Sequence, residues 1–187
     1  MASDVEAALL ERGAFLRGHF RLSSGRHSDR FIQKFRILED PRLVETVAMP
    51  IARAFAVRAP TLVVSAAVGG IILGYEVARQ LGTKSIFVEK EHGAPVLRRD
   101  FTLTGDDRVI IVEDVVTTGG SVREVMDVVR QRGATMLGLG IIVRRTKVDF
   151  EIPTIVLVDI PIESFAPEDC PQCAAATPLT DPGSRRS

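Results

Sequence analysis

Two adjacent carboxylates, Glu113 and Asp114, precede a short segment that contains three hydroxyl side chains and two glycines. Glycines let the backbone approach a ligand closely, and successive N–H groups in a tight turn form a concave site for an anion. The two carboxylates would repel a phosphate, so they are suited to sugar hydroxyls or to the water shell of a Mg²⁺ ion. We therefore predict a binding site for a ribose 5-phosphate. Its residues are Glu113, Asp114, Val115, Val116, Thr117, Thr118, Gly119, Gly120 and Ser121.

The elements on either side of this segment would position it. Residues 109–112 form an apolar run without alternation, which predicts a strand buried on both faces in the middle of a parallel sheet. Behind Ser121, apolar residues recur at the spacing of an amphipathic helix; they are Val122, Val125, Met126 and Val129. The segment then lies at the carboxyl end of a central strand, where open α/β sheets bind their ligands. Ser121 and Glu124 could instead form a capping box, in which the serine would cap the helix.

A second unit of the same kind lies upstream. Residues 61–65 have the composition of a buried strand, and Gly69 and Gly70 precede a predicted helix that ends at Gly82. The loop of this unit can also present backbone amides to an anion. Strands and helices alternate over residues 61–143, which predicts right-handed βαβ crossovers. The predicted fold class is therefore α/β, with a central, mostly parallel sheet of about five strands flanked by helices.

The composition is that of one globular domain. The chain has 187 residues, of which 45% are hydrophobic and 26% charged, and this length allows a substantial single core. The formal net charge is zero, which argues against binding to nucleic acid or to a membrane surface. The N-terminal region shows no signal-peptide pattern, and the longest uncharged run, residues 59–75, is broken by glycine and proline. We therefore expect a cytoplasmic protein.

The two cysteines, Cys170 and Cys173, form a C-x-x-C pair near the end of the chain. This spacing is typical of half a zinc site, which a second chain or histidines elsewhere would have to complete. A redox pair has the same spacing, but no strand–helix pattern of the thioredoxin type surrounds it. The default interpretation is a pair of unbound thiols.

The strand, the acidic pair and the Thr/Gly loop together resemble the phosphoribosyl-diphosphate signature of the type I phosphoribosyltransferases. The segment Phe20-x-Leu22-x-Ser24-Gly25-x-x-Ser28 is similar to the N-terminal hood of the orotate phosphoribosyltransferases, and Cys-Pro-x-Cys resembles the tail of a bacterial and archaeal subgroup. The resemblance covers nearly the whole chain. It implies a single phosphoribosyltransferase domain with a hood at residues 1–35 and 150–175, a core at 36–149 and a flexible tail at 176–187.

The resemblance also implies a reaction and its partners. Orotate and 5-phosphoribosyl 1-diphosphate would give orotidine 5′-monophosphate and diphosphate, a step of pyrimidine biosynthesis. Breaking the bond between C1 and the diphosphate leaves an oxocarbenium-like sugar, so Mg²⁺ and preorganised cations at the diphosphate would lower the barrier. Mg²⁺ is therefore the expected cofactor. The expected partner is a second copy of the chain, in a homodimer with a shared active site.

The resemblance also implies roles for individual residues, which are assigned by their positions in the family pattern. The signature residues would bind phosphoribosyl diphosphate, with Asp114 also catalytic, and the loop at Gly69 and Gly70 would hold the diphosphate. Lys90 and His92 match the basic residues of a mobile catalytic loop, in which Lys90 would also contact phosphoribosyl diphosphate. The segment that follows Lys90 is expected to be a flexible loop or a two-stranded flap.

The expected orotate site contains Thr117 and Arg145, which match family residues that contact this base. An arginine suits a carboxylate because its planar fork donates two parallel hydrogen bonds. Arg144 precedes Arg145 in the chain, so the register of the strand decides which of the two faces the ligand. No residue is assigned as a metal ligand.

The sequence departs from the family pattern at three places and leaves alternative functions open. Gly69 and Ser23 stand where the family often has lysines, and Glu89 where an arginine is frequent; Arg98 and Arg99 could supply the missing charge. One alternative is a purine phosphoribosyltransferase, against which the hood segment argues. The other is a regulator that senses phosphoribosyl diphosphate without catalysis, although no helix-turn-helix or basic stripe indicates DNA binding.

Overall fold

The computed structural model describes residues 2–22 and 24–182. The strands are β1 (Phe15–Arg21), β2 (His27–Ile32), β3 (Leu62–Ala66), β4 (Lys84–Glu91), β5 (Ala94–Leu97), β6 (Arg108–Val116), β7 (Thr135–Arg144) and β8 (Thr154–Asp159). The helices are α1 (Ala2–Glu11), α2 (Phe35–Leu38), α3 (Pro41–Ala56), α4 (Gly69–Leu81), α5 (Gly120–Gln131) and α6 (Pro171–Ala174), with a 3-10 turn at Pro167–Asp169. None of the helices in these ranges has the length and apolar character needed to cross a membrane.

The central sheet has six strands in the order β5-β4-β3-β6-β7-β8. Neighbouring strands in this sheet are parallel except β4 and β5, which form an antiparallel hairpin. The strand of the signature segment, β6, lies between β3 and β7 in the middle of the sheet. The predicted α/β class and the mostly parallel sheet are confirmed. The strand beyond the predicted five is β5, which forms one arm of the flap behind Lys90.

Helices cover both faces of the sheet. Ile110 and Val112 face a core completed by α1, α3 and α4, whereas Val109 and Ile111 face a core covered by α5. All of these side chains are buried. A strand enclosed on both faces has no polar side to present to water, which accounts for the continuous apolar run in the sequence.

Asp40 followed by Pro41 predicts the start of a helix from the sequence, and α3 begins there. The side chain of Asp40 accepts hydrogen bonds from the backbone N–H groups of Arg42 and Leu43 at 3.0 and 3.4 Å, and Pro41 occupies the first helical position. This combination satisfies donors that a helix N-terminus would otherwise leave unpaired. Pro50 lies inside the helix and does not end it.

The hood is built on the antiparallel hairpin of β1 and β2. The sequence predicts the returning strand of this hairpin at residues 31–35, but β2 runs from His27 to Ile32 and the chain then enters the short helix α2. Ile37 and Leu38 of α2 are buried. The apolar residues that follow β2 are therefore buried as part of a helical turn, and not as part of a longer strand.

The C-terminal part of the chain contributes to both the core and the hood. Strand β8 pairs with β7 at the edge of the central sheet, so the hood boundary expected at residue 150 precedes a strand of the core. Beyond β8 the chain returns to the hood, where Phe165 pairs with His27 and Thr180 with Phe20. The segment expected as a tail, 176–187, is thus hydrogen-bonded to β1 at Thr180, and residues 183–187 lie outside the described part.

Candidate active site

The signature segment forms a small cavity at the carboxyl end of β6. The strand continues through the acidic pair to Val116, and α5 begins at Gly120, behind Gly119 with its φ of 80°. That left-handed conformation favours glycine, and it turns the unpaired amides of the helix N-terminus towards the cavity. The cavity has a volume of about 210 Å³ and is lined by Lys90, Glu113, Val115, Val116, Thr117, Thr118, Gly119, Gly120, Ser121, Val122 and Glu124.

Ser121 does not cap α5. The N-cap residue is Gly119, which has no side chain to accept a hydrogen bond, and Glu124 forms an ion pair with Lys90 at 2.8 Å. The capping-box interpretation of Ser121 and Glu124 is therefore wrong, because the helix begins one residue before the serine. The hydroxyl of Ser121 instead belongs to the lining of the cavity.

The acidic pair is almost fully buried. Glu113 is 7% and Asp114 2% exposed. The backbone N–H of Asp114 donates to Glu113 Oε1 at 3.1 Å, and that of Val115 donates to Asp114 Oδ1 at 2.6 Å. Burial, and then the negative charge of Asp114, raise the pKa of Glu113 to about 8. The pair therefore holds a proton at neutral pH until a cation or a hydroxyl donor approaches it.

Lys34 neutralises Asp114 and is a residue that the sequence analysis missed. Its Nζ atom lies 2.9 Å from Asp114 Oδ2. A signal for it existed in principle, since a buried carboxylate pair requires a nearby cation and the sequence contains only four lysines, at positions 34, 84, 90 and 147. The sequence does not show which of them the fold brings to the pair.

Gly69 lies so close to Asp114 and Lys34 that a side chain there would displace them from their present positions. A Cβ atom built on Gly69 would lie 1.7 Å from Asp114 Oδ2 and 2.7 Å from Lys34 Nζ. The lysine that the family often has at this position would therefore collide with Asp114 and Lys34 as they are placed here. Lys34 brings an ammonium group to the same place from the hood side of the chain.

A second and larger cavity, which we call the cleft, separates the hood from the core. Its volume is about 1020 Å³. Residues of the core that line it are Val115, Thr117 and Arg145, and hood residues include Arg21, Leu22, Gly25, Phe31 and Lys34. Because Val115 and Thr117 also line the small cavity, one ligand can occupy both spaces. The structure thus brings the predicted orotate residues, Thr117 and Arg145, to a common cavity.

The two neighbouring arginines have different environments. Arg144 forms a two-point ion pair with Asp159, at 3.2 and 2.7 Å, and this contact raises its pKa. Arg145 lines the cleft, and its buried Nε atom has no hydrogen-bond partner among the described residues. Burial lowers the pKa of Arg145. Of the two, Arg145 is the guanidinium available to an anionic ligand.

The basic residues of the predicted catalytic loop lie on the hairpin of β4 and β5. Lys90 reaches the small cavity, where it is held by Glu124. His92 lies at the tip of the hairpin with a φ of 51° and is exposed. It does not line either cavity of this chain. The structure therefore brings Lys90, but not His92, to the signature residues.

Arg98 and Arg99, which could supply the charge that Gly69 and Ser23 lack, each pair with a nearby glutamate. Arg98 pairs with Glu91 at 3.1 Å and Arg99 with Glu89 at 2.6 Å, so both are engaged within the hairpin region. Neither arginine lines the small cavity or the cleft, so a compensating role at the diphosphate stays a prediction. Ser23 lies outside the described residues.

Comparison with known families identifies the fold that this site belongs to. A model of the phosphoribosyl transferase domain matches residues 36–161, which is more than half of the chain. The chain belongs to the phosphoribosyltransferase family. The matched range contains the acidic pair, the glycine loops and the β4–β5 hairpin, whereas β1 and β2 of the hood lie outside it.

Curated relatives extend the phosphoribosyltransferase match to nearly the full length. Orotate phosphoribosyltransferase of Pelotomaculum thermopropionicum is 45% identical over 185 residues, which cover 98% of this chain and 97% of the relative. The enzyme of the same name from Carboxydothermus hydrogenoformans is 45% identical over 188 residues, with 98% of both chains covered.

Solved structures show the same fold. The orotate phosphoribosyltransferase of Aeropyrum pernix superposes with a TM-score of 0.71 at 27% identity, covering 83% of this chain and 93% of that one. The adenine phosphoribosyltransferase of Rhodothermus marinus gives a TM-score of 0.67 at 19% identity, covering 84% of this chain and 99% of that one. The second match is to a protein named for a different base, so it supports the fold alone.

Proposed function

We propose that this protein transfers the phosphoribosyl group from 5-phosphoribosyl 1-diphosphate to orotate, giving orotidine 5′-monophosphate and diphosphate. The observation that carries the proposal is Arg145, a partly buried guanidinium that faces the cleft and whose Nε atom has no partner among the described residues. A partly buried cation that no carboxylate of the described residues neutralises favours an anionic ligand. The carboxylate of orotate is such a ligand, and neutral purines are not.

The small cavity would hold the 5-phosphate of the sugar. Its amides at Gly119, Gly120 and Ser121 lie at the N-terminus of α5, where the helix dipole favours an anion. The hydroxyls of Thr117, Thr118 and Ser121 add donors around the same space. Glu113 lines this cavity as well, and its side chain would accept hydrogen bonds from a ribose hydroxyl.

Lys34 and Gly69 would serve the diphosphate. Gly69 opens α4 and lies against Asp114, so the first amides of that helix would be available to an anion bound there. A ribose hydroxyl that binds Asp114 would release Lys34 from its ion pair and make the ammonium available to a phosphate oxygen. The positive charge would then stabilise the departing diphosphate as the bond to C1 breaks.

The residues present also fit a Mg²⁺ ion. Mg²⁺ keeps several waters and binds through one or two carboxylates together with substrate phosphates, and Glu113 and Asp114 lie between the phosphate cavity and the diphosphate loop. When bound, the ion would neutralise charge on the phosphates. The chain's own part is to give up the proton that burial holds on Glu113 and to keep both carboxylates directed at the sugar.

Lys90 would act from the β4–β5 hairpin. In the structure its ammonium is held by Glu124 at the rim of the small cavity, so a small movement of the hairpin would carry it over a bound phosphate. His92 lies at the exposed tip of the same hairpin. A role for His92 therefore requires either a larger movement or a second copy of the chain.

A homodimer is part of the proposal. Val68, Ile72 and Tyr75 lie along one side of the first turns of α4 and are 71%, 43% and 68% exposed. Exposed apolar side chains at this spacing on one helix face are typical of an interaction surface. A second copy packed there would lie beside the glycine loop at Gly69. Light scattering of the native chain should give a dimer, and Tyr75→Lys should shift the mass towards the monomer.

The test of the activity is base specificity. Purified protein is incubated with Mg²⁺, phosphoribosyl diphosphate and one base at a time, and we expect consumption of orotate, with adenine, hypoxanthine, xanthine and uracil unchanged. Diphosphate release measured in parallel identifies turnover independently of the base. Reaction with a purine alone would contradict the proposal. Binding of phosphoribosyl diphosphate without turnover of any base would instead indicate a sensor.

A further inference from the structure

Four side chains that can bind a metal meet within the hood. His19 lies on β1 and His27 on β2, while Cys170 and Cys173 flank the first turn of α6. One ligand atom from each of the four lies within 4.8 Å of all the others. We call this group, His19, His27, Cys170 and Cys173, the clamp. None of the four lines the cleft or the small cavity.

The separations in the clamp match those of a tetrahedral site. His19 Nε2 lies 3.5 Å from Cys170 Sγ and 3.6 Å from Cys173 Sγ. His27 Nδ1 lies 3.2 Å from Cys173 Sγ and 3.0 Å from His19 Nε2. Zn²⁺ bonds of about 2.3 Å to sulfur and about 2.0–2.1 Å to nitrogen place tetrahedral ligands about 3.6 Å apart for N–S and about 3.4 Å apart for N–N. The side chains are therefore already at ligand spacing.

The hydrogen bond of His19 Nδ1 fixes the tautomer of the ring and therefore the proton state of Nε2. Nδ1 of His19 lies 2.8 Å from the carbonyl oxygen of Thr177, and since a carbonyl can only accept, Nδ1 carries the proton. The lone pair of the neutral ring is then on Nε2, which is the atom that faces the cysteines. An outer hydrogen bond of this kind orients a metal-binding histidine. The amide of Thr177 donates to Gln172 at 2.9 Å, which anchors this loop to α6.

We infer that the clamp is a structural zinc site. Two sulfur and two nitrogen ligands in tetrahedral spacing select Zn²⁺ among the common ions. Four protein ligands leave no open position for substrate, so the ion is not part of the transfer reaction. Three of the side chains are buried and Cys173 is exposed. The exposed cysteine gives the ion a path into the site.

The site would join the two ends of the hood. Its histidines come from the N-terminal hairpin and its cysteines from the segment beyond β8. Backbone hydrogen bonds run beside it in the same direction, between Thr180 and His19 at 2.7 Å and between His27 and Phe165 at 2.8 and 2.9 Å. Asp181 lies just beyond this connection and lines the cleft. The ion would therefore fix the wall of the cleft without contacting a substrate.

The test uses the full chain, stripped of metal by a chelator under reducing conditions and then loaded with Zn²⁺ or Co²⁺. We expect about one tightly held ion per chain. The Co²⁺ form should show the sulfur-to-cobalt charge-transfer absorption and the intense visible bands of a tetrahedral thiolate site. Bound cobalt without this absorption would place the ion on carboxylates and overturn the inference. Failure of the reduced chain to retain either ion would overturn it as well.

Single variants locate the ion. His19→Gln and Cys173→Ser each remove one ligand atom and should weaken Zn²⁺ binding by at least about 100-fold, the upper end of the effect of losing only an outer contact. The matched control is His92→Gln, which changes the third histidine of the chain and should leave the affinity for Zn²⁺ unchanged. Wild-type affinity in His19→Gln would contradict the assignment. If a variant folds poorly, the cobalt spectrum of the unaltered chain still decides.

Discussion

The cleft and the clamp both collect buried polar side chains from distant parts of the chain, but they balance charge in different ways. Lys34, which lines the cleft, pairs with Asp114, and Arg145 in the same lining has a buried Nε atom without a hydrogen-bond partner among the described residues. In the clamp, two imidazole rings and two cysteine sulfurs meet at ligand distances, and one ring is already oriented by a carbonyl. The cleft has a volume of about 1020 Å³, whereas three of the four side chains of the clamp are buried.

This difference indicates what each region binds. Oxygen ligands and unmatched charges suit a charged substrate that enters and leaves, because part of the electrostatic cost of burial is relieved only while the ligand is bound. Sulfur and imidazole ligands in a complete set suit an ion that remains through folding. Variants in the cleft should therefore change kinetics, and variants in the clamp should change stability.

The largest expected effect is the loss of the metal from the clamp. At a free Zn²⁺ concentration about 1,000 times Kd, binding stabilises the folded state by about 4 kcal/mol. For a chain of this size about 1 kcal/mol corresponds to about 2–4 °C, so chelation should lower Tm by about 10 °C. Calorimetry before and after chelation measures the shift. A chelated protein with unchanged Tm but lost activity would show that the clamp acts on the cleft and not on stability.

Arg145→Ala should be the most harmful change in the cleft. Removing one partner of a buried, hydrogen-bonded charge pair costs about 2–5 kcal/mol, so kcat/KM for orotate should fall by about 100-fold or more, with KM for phosphoribosyl diphosphate nearly unchanged. Steady-state kinetics with each substrate varied in turn provides the measurement. The control is Arg144→Ala, which removes the pair with Asp159. If the two variants exchanged phenotypes, Arg144 would be the ligand.

Lys34→Met should have a smaller effect that falls on both stability and binding. Asp114 would lose its cation while remaining buried, which should lower the free energy of unfolding by about 1–3 kcal/mol, and KM for phosphoribosyl diphosphate should rise by about 10-fold, as for one lost charged contact. Urea denaturation and kinetics measure the two effects. The exposed Lys84 supplies the matched control, Lys84→Met. An unchanged KM in Lys34→Met would restrict Lys34 to a structural role.

Glu113→Gln should change the pH dependence of stability. The pKa of Glu113 is raised to about 8 in the folded state from an ordinary value of 4.5, so the folded chain binds the extra proton between these values. The stability that this group contributes is complete below pH 4.5 and is lost as pH rises towards 8, at up to about 1.4 kcal/mol per pH unit. Denaturation across this range should show a shallower decline for Glu113→Gln. Identical slopes would mean that Glu113 is ionised in the folded state.

The sequence predicted the parts of the site that are continuous in the chain. The apolar run of β6, the acidic pair and the hydroxyl loop follow one another within a few residues, so local patterns alone indicate a strand, a phosphate-binding loop and a helix. The sequence pattern predicted the end of β6 less accurately. The acidic pair belongs to the strand and does not follow it, because the parallel pairing with β7 continues as far as Val116.

The parts that the sequence missed depend on contacts between distant segments. Lys34 meets Asp114 across 80 residues, and the pairing of Arg144 with Asp159 depends on the register of β7 against β8. Local periodicity contains no information about either contact. The clamp is intermediate. The C-x-x-C spacing is typical of half a zinc site, but the sequence favoured a pair of unbound thiols, because only the folded hood hairpin brings His19 and His27 to the cysteines.

The position of the acidic pair inside β6 separates its two carboxylates. Consecutive side chains of a strand point to opposite faces, and Glu113 accordingly lines the cavity in front of α5, while Asp114 contacts Lys34 and the start of α4. A sugar phosphate that contacts both must straddle the end of the strand, with its phosphate on one side and its leaving group on the other. A compound that carries only one of these groups can fill only one of the two compartments.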